Sequence, residues 1–216
     1  MVLKLATAFV LAFGLTAGQA LACMGSTVLF SDNFKQVDPA WTSVFNDNSL
    51  AISGGFAQVT PPQGDYALLS YGGSFFDSGD ACVDITSPAS VTDPSSAIAG
   101  FVFGYQPSGD QLNFYVLQVG EDGSTSVSRM QNGAWLTPVP WKTFAAVKTG
   151  GNVTNTLRVT WSGTSGAAYV NGQLFSNFVL PQPFQNSVIG LTASGDASTT
   201  AGATWKFTNL KITNAP

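Results

Sequence analysis

The chain contains no histidine, which excludes a Ser-His-Asp triad, a Cys-His dyad and any imidazole-rich metal centre. Glutamate is nearly absent as well. The single one, Glu121, stands beside Asp122 and Gly123 in a hairpin turn, where solvated acids are ordinary. A glycosidase needs two carboxyl groups about 5 to 9.5 Å apart, and no strand-like run carries acids at i and i+2. Asp80 and Asp84 share a strand face, but four residues of rise put them roughly 13 Å apart. Basic residues are few: 8 Lys and Arg face 12 Asp and Glu, without clustering. Nucleic acid and anionic membrane are therefore poor partners. Gly72-Gly73 and Gly150-Gly151 lack the helix and the Lys-Ser/Thr ending of a nucleotide loop and read as turns.

The first 22 residues have the layout of a secretory signal: Lys4, an apolar run from Leu5 to Ala17, and Ala20-Leu21-Ala22 as a small-x-small cleavage site. Gly14 and Thr16 interrupt the run, which is shorter than the ~20 residues a bilayer span needs. Cleavage after Ala22 leaves residues 23–216, a size that suits one domain. It also removes Lys4, taking the formal charge from −4 to −5. The destination is the periplasm or the medium, an oxidising compartment, so Cys23 and Cys82 are expected to form a disulfide. The rival is a lipid-modified Cys23. Lipoprotein signals usually place Leu three residues before that cysteine, whereas Ala20 stands there and Leu21 is one residue late.

From Val28 to Thr213, short runs rich in Val, Ile, Thr, Phe, Tyr and Trp alternate with Gly, Pro, Asn, Asp and Ser clusters. No segment keeps a helical period. The runs predict strands at Val28 to Phe34, Leu50 to Thr60, Tyr66 to Tyr71, Asp80 to Thr86, Ile98 to Tyr105, Gln111 to Val119, and Thr125 to Gln131. Further strands are predicted at Ala134 to Thr137, Thr156 to Trp161, Ala167 to Asn171, Gln173 to Leu180, Ser187 to Ala193 and Ala203 to Thr213. This spacing is that of an all-β, two-sheet antiparallel β-sandwich or jelly roll.

Turn chemistry fixes much of the register. Asn132-Gly133 and Asn171-Gly172 are type I′ hairpin dipeptides, and Gln106-Pro107-Ser108-Gly109 reads as a four-residue loop. Across that loop, Phe103 is expected opposite Leu112 and Phe101 opposite Phe114, which makes one face apolar and leaves Tyr115 on the other. In the next hairpin, Tyr115 is expected opposite Arg129 and Asn113 opposite Gln131. The neighbouring register would bury an unpaired guanidinium. Asn113, Tyr115, Arg129 and Gln131 then share an open face floored by Gly100 and Gly104.

Several pieces, in this order, resemble the concanavalin A-like lectin/glucanase superfamily, especially its laminin G-like bacterial members. They are FSDNF followed by Trp41, then AGFVFGY, NFYVLQV, QNGAW, NTLRVTW, AAYVNGQ, VIGL and WKFTNLKI. The resemblance covers Phe30 to Ile212 and implies a concanavalin A-like sandwich. That superfamily includes lectins, carbohydrate-binding modules, β-glucanases and a group resembling keto-disaccharide hydrolases. The β-glucanases' strand of alternating acids has no match here. The hydrolase-like group's arginine is replaced by Gly104, and its usual acid is missing from NFYVLQV. What the resemblance then implies is non-catalytic glycan binding on the concave sheet face.

Sugar-binding surfaces combine an exposed ring with hydrogen-bonding groups. Trp161 and Trp205 lie in regular strands and read as core. Trp135 faces Met130 across a hairpin and reads as packing, and Trp41 as cover for one end of the sandwich. Trp141, in a connection after Pro138 and Pro140, is the aromatic candidate for binding. The expected site is therefore Asn113, Tyr115, Arg129, Gln131 and Trp141. No cofactor is implied; Asp32 and Asp196, near the two ends, are the candidate oxygen ligands for a calcium ion, set against the commoner reading of loop aspartates as solvated or turn-capping. Two other classes stay open: a glycoside hydrolase or lyase using acids from separate strands, Asp84 and Asp110 among them, and a structural or adhesive surface protein. Oligomeric state is not encoded in any pattern found.

Overall fold

The computed structural model describes residues 23–45, 47–106, 111–195 and 203–216. The expected signal sequence, Asp110 and Asp196 lie outside them. The described residues form strands and turns without helix, in two antiparallel sheets packed face to face. The strands are β1 (Val28–Asp32), β2 (Trp41–Ser43), β3 (Leu50–Ser53), β4 (Phe56–Val59), β5 (Tyr66–Tyr71), β6 (Gly79–Thr86), β7 (Ile98–Tyr105) and β8 (Asn113–Gly120). They continue with β9 (Ser124–Gln131), β10 (Ala134–Thr143), β11 (Thr154–Ser162), β12 (Ser165–Val170), β13 (Gln173–Val179), β14 (Val188–Ser194) and β15 (Trp205–Thr213). One sheet runs β13-β12-β11-β6-β15-β4-β3, with β1 sharing the β15 edge beside β4; the other runs β10-β9-β8-β7-β14-β5-β2.

Period-two alternation sends Val83, Ile85, Leu157, Val159, Phe207 and Ile212 of the first sheet against Leu69, Phe101, Phe103, Leu117, Val127 and Leu191 of the second, all essentially inaccessible. Trp161 and Trp205 are in this core as expected, and Trp161 Nε1 donates to the Phe76 carbonyl at 3.2 Å. Asn132-Gly133 and Asn171-Gly172 both hold two successive positive φ angles, as type I′ turns require. Gly54-Gly55 does the same. It splits the expected Leu50 to Thr60 strand into the β3–β4 hairpin.

A disulfide joins Cys23 to Cys82 on β6, 59 residues away. With that sulfur committed, a thioether to lipid at Cys23 is incompatible with this arrangement. The same segment is held by Met24 N–H donating to Asp80 Oδ2 at 2.7 Å.

The second hairpin has the expected register, Tyr115 opposite Arg129 and Asn113 opposite Gln131. The first does not. Phe103 pairs with Tyr115 and Phe101 with Leu117, three residues from the expected alignment, and an odd shift reverses every face. The cause lies at the end of β7. Gly104 adopts φ 63°, and β7 slips against β14 between the Tyr105–Val188 and Val102–Gly190 pairs, the signature of a bulge. Gln106 N–H then donates to the Asn113 carbonyl, which closes a longer loop than four residues.

Candidate functional site

The shift decides where the sequence-predicted residues sit. Asn113, Tyr115, Arg129 and Gln131 do come together, in a cleft of about 280 Å³ shared with Pro181, Gln182 and Phe184. It is a margin of the sandwich, on the inter-sheet side, rather than an open face. Tyr115 is buried in the main core. The Arg129 guanidinium lies 5.2 Å from its ring centroid, and the Phe184 ring is 5.7 Å away on that core side. Phe184 also fills the space expected above Gly104, where a Cβ would lie 2.2 Å from it. Arg129 escapes burial because it stands at the margin, so the register inferred from its charge is right while the face inferred with it is wrong. Burial raises the Tyr115 phenol above its ordinary pKa of 10.0, only partly offset by the Arg129 charge.

Trp141 lies elsewhere, on the outer face of the seven-stranded sheet. That face is divided in two. Toward the β7–β8 connection, Leu68, Val102, Phe114, Val116 and Met130 point outward yet are buried as a second apolar cluster. Their cover is a chain of rings: Phe45 meets Tyr66 at 5.4 Å, Tyr66 meets Trp135 at 6.0 Å, and Trp135 meets Phe114 at 5.7 Å. Tyr66 is on β5 and Trp135 on β10, five strands apart in the sheet, or roughly 24 Å if it were flat. Contact between them means that the sheet curls until its two sides approach. β10 supplies part of the curl. Its pairing with β9 slips twice, between Leu136 and Val139 and between Val139 and Lys142, and Pro138 and Pro140 sit there without cost because β10 is an edge strand.

The other half of the same face is a groove of about 420 Å³, within the range of small-ligand sites. Gln118, Ser128 and Thr192 lie on its floor, and Tyr66, Trp135 and Trp141 on its walls. The floor is ordered by its own hydrogen bonds: Ser126 Oγ donates to Gln118 Oε1 at 3.3 Å and is 3.2 Å from Ser128 Oγ. Among the described residues nothing occupies the Gln118 amide nitrogen, so a donor faces the groove. Burial first, then the Asp65 carboxylate, raises the Tyr66 phenol above its ordinary value, and it stays a neutral donor at physiological pH. Asp65 is the one charged group among the described lining residues.

Nothing in the sequence pattern singles out Trp135 and Tyr66 as site residues, since the first reads as hairpin packing and the second as an ordinary strand residue. Their meeting depends on sheet curl, for which the sequence signal is confined to the two prolines of β10. Of the two acids named for the hydrolytic alternative, Asp110 lies outside the described residues and Asp84 does not reach the groove. Asp84 lies on the outer face of the other sheet, where it accepts from Thr156 Oγ1 at 2.5 Å and Asn209 Nδ2 at 2.8 Å. Asp32 caps a turn through Phe34 N–H and accepts from Trp41 Nε1 at 2.9 Å. Glu121, expected to be solvated, is buried, which raises its carboxyl above the usual range.

No protein-family model matches this chain, and no curated protein matches it in sequence. Its structure, however, is similar to the carbohydrate binding module CBM66 from Bacillus subtilis, with a TM-score of 0.62 and 16% identity over 81% of this chain and 96% of that one. It is also similar to a Bacillus licheniformis β-glucanase, with a TM-score of 0.63 and 14% identity over 86% of this chain and 97% of that one. The carbohydrate recognition domain of Emp46p gives a TM-score of 0.63 and 16% identity over 87% and 97%. The fold is a concanavalin A-like jelly roll. At these identities the likeness speaks for the fold, and the concanavalin A-like architecture hosts both binding and hydrolytic proteins. No helix among the described residues is long and apolar enough to cross a membrane.

Proposed function

We propose that this concanavalin A-like domain is a non-catalytic carbohydrate-binding protein that works outside the cytoplasm, with its ligand in the groove of the seven-stranded sheet. The observation that carries this reading is three rings, Tyr66, Trp135 and Trp141, standing around a floor of neutral donors and acceptors. A pyranose presents just this mixture, an apolar ring face and a rim of hydroxyls. The structural likeness to a carbohydrate binding module and a carbohydrate recognition domain supports it. The leader-like first 22 residues and the Cys23–Cys82 disulfide support export. Hydrolysis would need a second carboxyl group within reach of Asp65, and the described lining supplies none.

A glycan array probed with the mature protein, with and without calcium, tests the reading. Binding to at least one neutral glycan, abolished by Trp141→Ala, is the expected result. No binding to any sugar under either condition would refute it, and release of reducing sugar from a bound polysaccharide would move the protein to the enzymatic class.

A further inference from the structure

Resting on the glycan-binding reading, we infer that the groove takes the end of a neutral glycan chain rather than its middle. The groove is blocked at one end. Tyr66 and Trp135 meet at 6.0 Å across it, and behind them Leu68, Val102 and Val116 are fully buried although they point away from the core. A polysaccharide lying along the sheet cannot continue in that direction.

At the opposite end the groove opens. A second depression of about 390 Å³, lined by Ser95, Asp122, Ser124 and Lys142, adjoins the first, and Ile98 and Trp141 line both. Trp141 is 37% exposed, so its ring is presented to both depressions. A chain that enters from the open end places its terminal residue against Tyr66, Trp135 and the Gln118 amide, and passes its next residue over Trp141. Charge narrows the chemistry further. The first depression has Asp65 as its one described charged group, and the second adds Asp122 and Lys142, which oppose one another in sign. No described cation in the first depression answers a uronate or sulfate on the terminal sugar, and Asp65 would repel one.

Counting binding sites per gram of polymer tests end recognition directly. The mature protein is titrated calorimetrically with unbranched neutral polymers, mixed-linkage β-glucan, pullulan and linear arabinan, each intact and after partial acid hydrolysis to chains about tenfold shorter. End binding predicts that, on the polymer that binds, sites per gram rise about tenfold on hydrolysis while Kd per site changes less than about twofold. Sites per gram that stay constant or fall on hydrolysis would show internal binding and overturn the inference while leaving the glycan reading intact. No heat with any of these polymers, together with a blank glycan array, would overturn both.

Discussion

The outer faces of the two sheets treat polar groups in opposite ways. On the eight-stranded sheet Asp80 and Asp84 are both engaged within the fold: Arg158 meets Asp80 through Nε at 2.7 Å and Nη2 at 3.0 Å and stacks on Tyr169 at 4.6 Å, while Asp84 accepts from Thr156 and Asn209. Asp80 is fully buried beneath the N-terminal segment. On the seven-stranded sheet the floor residues Gln118, Ser126 and Ser128 are neutral and bonded mainly to one another, with the Gln118 donor left facing a groove. The contrast separates two uses of one scaffold. The Arg158–Asp80 pair is internal to the fold, and in the proposed function the neutral groups beside the rings are the ones that meet a ligand.

Breaking the paired face has the largest expected effect. Arg158→Ala leaves Asp80 buried without its bidentate partner, which costs about 3 to 5 kcal/mol, to be read as a shift in the urea midpoint. Removing the disulfide by Cys23→Ser with Cys82→Ser acts on the same face. For a 59-residue separation the chain-entropy model gives about 4 kcal/mol. Neither change touches the groove, so glycan affinity measured at a temperature where each variant is folded should match the unaltered protein. On the groove side the ranking inverts. Trp141→Ala should weaken binding at least about tenfold, or about 1.4 kcal/mol, with the melting temperature nearly unchanged because the side chain is partly exposed and outside the core.

The smallest effect belongs to Glu121. Its folded pKa is raised by burial, so between its unfolded and folded values the native state holds more protons than the unfolded state. Stability contributed by this group therefore falls as pH rises through that window and is flat above it. Glu121→Gln should be more stable than the unaltered protein at pH 7, with the gain shrinking as the pH drops through that window and gone below the ordinary carboxylate value. A gain that is equal at pH 3 and pH 7 would show that the carboxyl is not responsible.

How much of this was legible in the sequence differs from element to element. Strands bounded by Asn-Gly turns or sharp Gly and Pro clusters, such as β5 and β7, are legible to the residue, and the disulfide follows from the cysteine count and the leader-like pattern of the first 22 residues. The short β2 strand was missed, and β10 runs on to Thr143 through Pro138 and Pro140 where the sequence suggested a connection. The misplaced face has a specific cause. Phe114 and Tyr115 are adjacent aromatics and both are buried, one under the ring chain and one in the core, so alternation carries no information about which side faces inward. A sheet with apolar residues on both faces loses the period-two signal that fixes register. Trp141 was recognisable as a binding candidate from its position. Its partners Tyr66 and Trp135 were not, because they are 69 residues apart in sequence and meet only through the curl of the sheet.

The most direct test of the central claim is calorimetric titration of the glycan selected on the array against three proteins: the unaltered chain, Trp141→Ala on the groove, and Asp84→Asn on the opposite face. The account predicts saturable binding by the unaltered chain and Asp84→Asn with the same Kd within about twofold, and at least about tenfold weaker binding by Trp141→Ala. Equal affinity in all three, or a loss confined to Asp84→Asn, would contradict it and place the ligand away from the groove.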